Sequence, residues 1–199
     1  MKRMLLILVL VLVALTVWTA PVFAAPATSK DITITATPSY VGIDITQNTW
    51  TVNGIDGGGF ITKSSTYYSN ATGATGDVTP PNNPVVDGDC YFTIANSSTV
   101  ATDITGNLPT FVGGDAMTNT NTGYTTNGAN AFGASTYISG AAWPGDAVIL
   151  KDAASDAIKS NLAALTDLKF GVAIKIKSAD FTNAAAMTGT LTVTAVVHT

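Results

Sequence analysis

The chain has 199 residues with a formal charge of −4, and only 11% of its residues are charged against 46% hydrophobic. That balance excludes a disordered acidic tail, which lacks the apolar residues to form a core. It also excludes the basic surface on which nucleic-acid binding depends.

Lys2 and Arg3 precede an unbroken apolar run from Met4 to Leu15, and small residues ending in Val22-Phe23-Ala24 follow. This is the pattern of a secretory signal peptide, so residues 1–24 are expected to be removed. The apolar run is short for a bilayer crossing, which takes about 20 residues. Residues 25–199 are then one secreted domain, extracellular or at the cell surface, with no membrane segment after cleavage. Removing Lys2 and Arg3 from nine basic residues leaves seven lysines against thirteen aspartates, a charge near −6, with no arginine or glutamate. Cys90 is the single cysteine and forms no intrachain disulfide.

Behind a short leader, residues 31–37 alternate, with Ile32, Ile34 and Ala36 on one side and Thr33, Thr35 and Thr37 on the other, until Pro38 stops the run. Residues 41–45 and 49–52 read as further strands, with Asn53-Gly54 as a turn signal and Asp56-Gly57-Gly58-Gly59 as a bend. Residues 70–89 form a loop by composition. A strand over residues 90–96 follows, turning Cys90, Phe92 and Ile94 inward, and another is expected over 100–104. Residues 110–145, rich in Asn, Thr, Gly and Ala, predict a long ordered insertion with one or two short strands. Residues 151–168 are the one helical stretch, capped by Asp152 or Ser155, with Ala154, Ala157, Ile158, Leu162 and Leu165 sharing a face.

The clearest pattern comes last. Phe170, Val172, Ile174 and Ile176 oppose Gly171, Ala173, Lys175 and Lys177. Leu191, Val193, Ala195 and Val197 oppose Thr190, Thr192, Thr194 and Val196. A period of two predicts two strands joined by a short connection, a pair at the edge or centre of one sheet, each with one buried and one solvent-facing side. The expected fold is all-β, a two-sheet antiparallel sandwich of jelly-roll type with long loops and one short helix.

Signals for catalysis are sparse. A nucleophilic triad needs a histidine, and His198 is alone and one residue from the end. Zinc needs several Cys or His ligands, and Gly57-Gly58-Gly59 lacks the lysine of a phosphate cradle. A non-enzymatic role is therefore expected. Asp87-Gly88-Asp89 places two carboxylates at alternate positions near a strand entry, an oxygen set suited to calcium, with turn-making as the competing role. Trp50, Trp143, Tyr67 and Tyr68 raise a second possibility, an aromatic row that stacks on sugar rings; Tyr67 and Tyr68 fall on opposite sides of any strand.

The leader running straight into residues 31–37 suggests assembly: that segment, freed by cleavage, lies beside an exposed strand of an identical neighbour. Repeated head to tail, the contact makes a polymer because it does not close. The layout resembles secreted filament subunits of the TasA and camelysin type, including archaeal bundling-pilus subunits, with residues 32–37, 90–96 and 191–197 as the matching strand-like pieces. The resemblance implies a jelly-roll-like sandwich polymerised by donation of its N-terminal strand, with Ile32, Ile34 and Ala36 as the inserted side chains. The alternative is a secreted or cell-surface glycan-binding sandwich module.

Overall fold

The computed structural model describes residues 40–47, 49–50, 61–70, 73–125, 128–153 and 157–199. Residues 1–24, the alternating segment 31–37 and the turns at 53–54 and 56–59 lie outside them. In chain order the strands are β1 (Ile43–Ile45), β2 (Thr66–Asn70), β3 (Gly73–Asp77), β4 (Phe92–Asn96), β5 (Thr102–Asn107), β6 (Thr110–Val112), β7 (Met117–Asn119), β8 (Ala131–Ile138), β9 (Val148–Leu150), β10 (Ala157–Leu162), β11 (Leu168–Lys175), β12 (Thr188–Gly189) and β13 (Thr192–Val197). Among the described residues one 3₁₀ turn, Asp87–Asp89, interrupts them.

The strands make two sheets, consistent with a sandwich-like fold. The larger has ten strands, and its main path β1-β4-β11-β8-β7-β6-β12 curls as a half-barrel; the smaller is β10-β5-β13. β11 is the axis of the larger sheet. One of its edges pairs first with β4 and then with β2, while the other runs along β8 from Phe170↔Ile138 to Lys175↔Gly133. β8 divides its far edge in the same way between β7 and β9.

The main core lies between the sheets. Ile104, Ile158 and Leu162 of the small sheet meet Phe92, Ile94, Phe132, Leu150, Phe170, Val172 and Ile174 of the large one. Phe92 and Phe170 stack at 5.1 Å, and Phe111 meets Phe132 edge-on at 4.8 Å. The predicted row Phe170, Val172, Ile174, Ile176 is buried to 2% exposure or less.

Several expectations are corrected. The opposite side of β11 does not face solvent: Ala173 is buried under a second cluster of Tyr68, Val85, Cys90, Tyr137 and Trp143. Lys177, just beyond the strand, is itself 2% exposed, with Nζ 3.6 Å from Asp115 and 4.7 Å from the centre of the Phe181 ring. β11 and β13 belong to different sheets and do not pair. Cys90 is buried, but in the second cluster and outside the strand that carries Phe92 and Ile94. The pairing is not wholly antiparallel, because β7 and β8 run parallel.

The expected helix is replaced by β10. Ile158 and Leu162 are buried as predicted, but a spacing of four satisfies a strand's period of two as well as a helical turn. Leu165, the next member of the proposed helical face, is 71% exposed in a turn at positive φ. Among the described residues there is no α-helix.

Candidate functional site

In the three-stranded sheet β10 and β13 are the two edge strands, and β13 carries the less covered apolar row. β13 pairs with β5 over six positions, from Thr192↔Asn107 to Val197↔Thr102. Past the strand, His198 N donates to Ala101 O (2.9 Å) and its Nδ1 lies 2.8 Å from Asp103 Oδ1. The Asp103 carboxyl is held below the usual carboxylate value, first by the Asn161 backbone N–H and then by His198. These contacts join β10, β5 and the chain end at one corner.

Among the described residues no strand pairs with the outer edge of β13. Burial falls accordingly from the middle of the sheet outward. Ile104 on β5 is fully buried, whereas Leu191, Val193 and Ala195 pack against the same core and remain half-covered. Val196 and Val197 are 49% and 46% exposed. An open ladder edge flanked by a partly covered apolar row is what strand addition requires. Alternation marks Leu191, Val193 and Ala195 as an apolar row, whereas Val197, expected on the same buried side, is 46% exposed; only the sheet order reveals the row's free side.

Of the predicted site residues, the donor set Ile32, Ile34 and Ala36 lies outside the described residues. Asp87 and Asp89 sit at the two ends of the 3₁₀ turn, each engaged by protein donors. Asp87 Oδ2 takes the Lys169 ammonium at 2.7 Å and its Oδ1 the Ser139 hydroxyl at 2.5 Å, contacts that lower its pKa. Asp89 accepts from the backbone N–H groups of Asn82 (3.0 Å) and Val86 (2.9 Å) and from the Asn82 side-chain amide (2.9 Å). Among the described residues no three His, Cys, Asp or Glu side chains group to hold a metal. Of the other loop aspartates, Asp115 binds Thr182 and Asn183.

The aromatic residues divide between the faces. Tyr67 joins the main core, and Tyr68 joins the second cluster on the other side of the sheet. Trp143 is 7% exposed, with Tyr124, Tyr137 and Tyr68 at 4.7, 5.2 and 5.9 Å. Trp50 packs against the main core. Asn96 is buried, its side-chain amide donating to Ala163 O and accepting from Ser98 N. No family model matches the chain, and no curated protein or solved structure matches it.

Proposed function

We propose that the chain is a non-catalytic structural subunit of an extracellular filament or pilus, secreted through its signal peptide and assembled by N-terminal donor-strand addition. The observation that carries this reading is the half-covered row Leu191, Val193 and Ala195 beside the open edge of β13. A strand with small and branched apolar residues at alternate positions would continue the ladder and complete the inner face. Residues 31–37 have that pattern in Ile32, Ile34 and Ala36, with threonines on the opposite side to meet solvent. In this reading the sandwich is jelly-roll-like, and residues 31–37 of one subunit lie beside β13 of the next. Partners are identical subunits joined head to tail.

The test compares the mature chain, residues 25–199, with a chain beginning at Ser39. Light scattering and electron microscopy are expected to show concentration-dependent fibres for the first and monomers for the second, with a peptide of residues 25–38 binding the truncated chain. Ile34→Asp in the mature chain is expected to block growth by placing a charge among apolar side chains. Running both chains with and without millimolar calcium asks whether a cation at Asp87 and Asp89 contributes. A mature chain that stays monomeric throughout, or a truncated chain that polymerises equally well, overturns the proposal.

A further inference from the structure

The backbone of β13 fixes which of its polar groups face outward. His198 N donates to Ala101 O at 2.9 Å, and the antiparallel register runs without a shift from Val197↔Thr102 to Thr192↔Asn107. In such a ladder, residues that bond one neighbour alternate with residues whose N–H and C=O point away from it. Thr192, Thr194, Val196 and His198 therefore bond β5, and Val193, Ala195 and Val197 present their backbone groups to the open side. The same three belong to the apolar row, with Val193 and Ala195 packed on the main core and Val197 46% exposed. Other strand edges are blunted. β3 and β10 shift register, β12 has two residues, and in β1 the Ile45 N–H is taken by the Asp44 carboxylate at 2.9 Å.

We propose, resting on the donor-strand reading above, that residues 31–37 of a second copy add to β13 antiparallel, with Ile34 opposite Ala195 and Asp31 opposite His198. Residues directly opposite in an antiparallel pair share a face, so Ile32, Ile34 and Ala36 meet Val197, Ala195 and Val193. The largest side chain at the end then covers the most exposed valine. The lengths agree as well: the run from Asp31 to Thr37 spans His198 to Thr192, and Pro38, with no N–H to give, falls at Leu191, just outside the strand. On the outer face Thr35 and Thr37 meet Thr194 and Thr192. There Asp31 brings a carboxylate to the imidazole whose Nδ1 lies 2.8 Å from Asp103 Oδ1, and opposite charges across a strand pair attract.

Neighbouring registers lose these matches. Sliding the donor two residues one way sets the Lys30 ammonium on the core side opposite Val197. Sliding it the other way sets Pro38 opposite Val193, where a backbone N–H is needed. Reversing its direction leaves Ala36 opposite Val197 and carries Asp31 away from His198.

Disulfide trapping in the mature chain reads the register. Thr35→Cys/Thr194→Cys and Asp31→Cys/His198→Cys place thiols on directly opposite residues whose Cα atoms are about 4.5 Å apart, within disulfide reach. Thr33→Cys/Thr194→Cys and Thr35→Cys/Val196→Cys test the slid and reversed strands, since diagonal neighbours stand about 7–8 Å apart. Fibres are grown in reductant, oxidised, and run on non-reducing gels beside the parent. Expected is a ladder of covalent multimers from the first two pairs, at least tenfold above the last two and the parent. Unsubstituted parent fibres should also show Ile32, Ile34 and Ala36 amides protected from exchange while Thr33 and Thr35 amides exchange freely. Fibres linked through the displaced pairs, linked through none, or protected at Thr33 and Thr35 overturn this register and leave the filament reading standing. Parent chains that form no fibres, or pairs that link only within a monomer, overturn both.

Discussion

Gly171 lies on the second face of β11 beneath the Tyr137 ring, whose outer atoms occupy the space a Cβ would take. Tyr137 has no room to retreat: it is 2% exposed, packs on Trp143 at 5.2 Å, and its hydroxyl donates to Ser69 O. Gly171→Ala is therefore expected to cost about 1–3 kcal/mol as overpacking, read as a lower urea midpoint at unchanged slope. Cys90, in the same cluster, has its thiol pushed up to about 12, first by burial and then by Asp89 and Asp87. It should resist alkylation at neutral pH in the native protein and react at once in denaturant, because thiolate is the reactive form. Asp115 behaves oppositely: the Asn183 backbone N–H first, then the Thr182 hydroxyl, hold its carboxyl at about 2 against an ordinary 3.8. A lowered folded value stabilises the native state fully above the unfolded value, and that contribution disappears as pH falls from about 4 through about 2. Melting curves across that window should show a shallower acid loss for Asp115→Asn than for the parent.

At the scale of elements, β10 is the instructive case. It pairs with β5 at Ala157↔Thr105, Lys159↔Ile104 and Leu162↔Thr102, with the register shifting between each. Asn161 occupies the irregular part at φ +52°, and its N–H reaches Asp103 Oδ1 at 2.8 Å. Asparagine tolerates this left-handed conformation and a β-branched side chain does not. Asn161→Val is expected to destabilise by about 1–2 kcal/mol and Asn161→Gly to be near neutral, measured by thermal or urea unfolding. Local sequence hid this strand because Ile158 and Leu162 fit two periods at once. β8 was hidden for the opposite reason. It is buried on both faces, so Ala131 to Ile138 shows no alternation, and its small residues Gly133, Ala134 and Ser135 read only as part of a long ordered insertion. The strands at 43–45, 92–96, 168–175 and 192–197 were legible because each carries apolar side chains at every second position.

At the scale of the whole fold, ten strands face three among the described residues, and the smaller sheet ends in β10 and β13, each paired on one edge only. Hydrogen exchange should report this directly: amides along β11, paired on both edges, are expected to exchange most slowly. Alternate amides of β13 should exchange fast in the monomer and become protected in fibres. Unchanged β13 exchange on fibre formation would place the contact elsewhere. Sequence alone determined the β-rich class, the inward row of β11, the opposite placement of Tyr67 and Tyr68, and the burial of Cys90. The first three follow from side-chain hydrophobicity and a period of two, and the last from the apolar character of the thiol alone. Tertiary structure alone decided that β11 and β13 separate into different sheets, that a second aromatic cluster covers the far side of β11, and that Lys177 is buried beside Asp115. Those outcomes depend on which distant segments meet, and alternation along one strand carries no record of its partner.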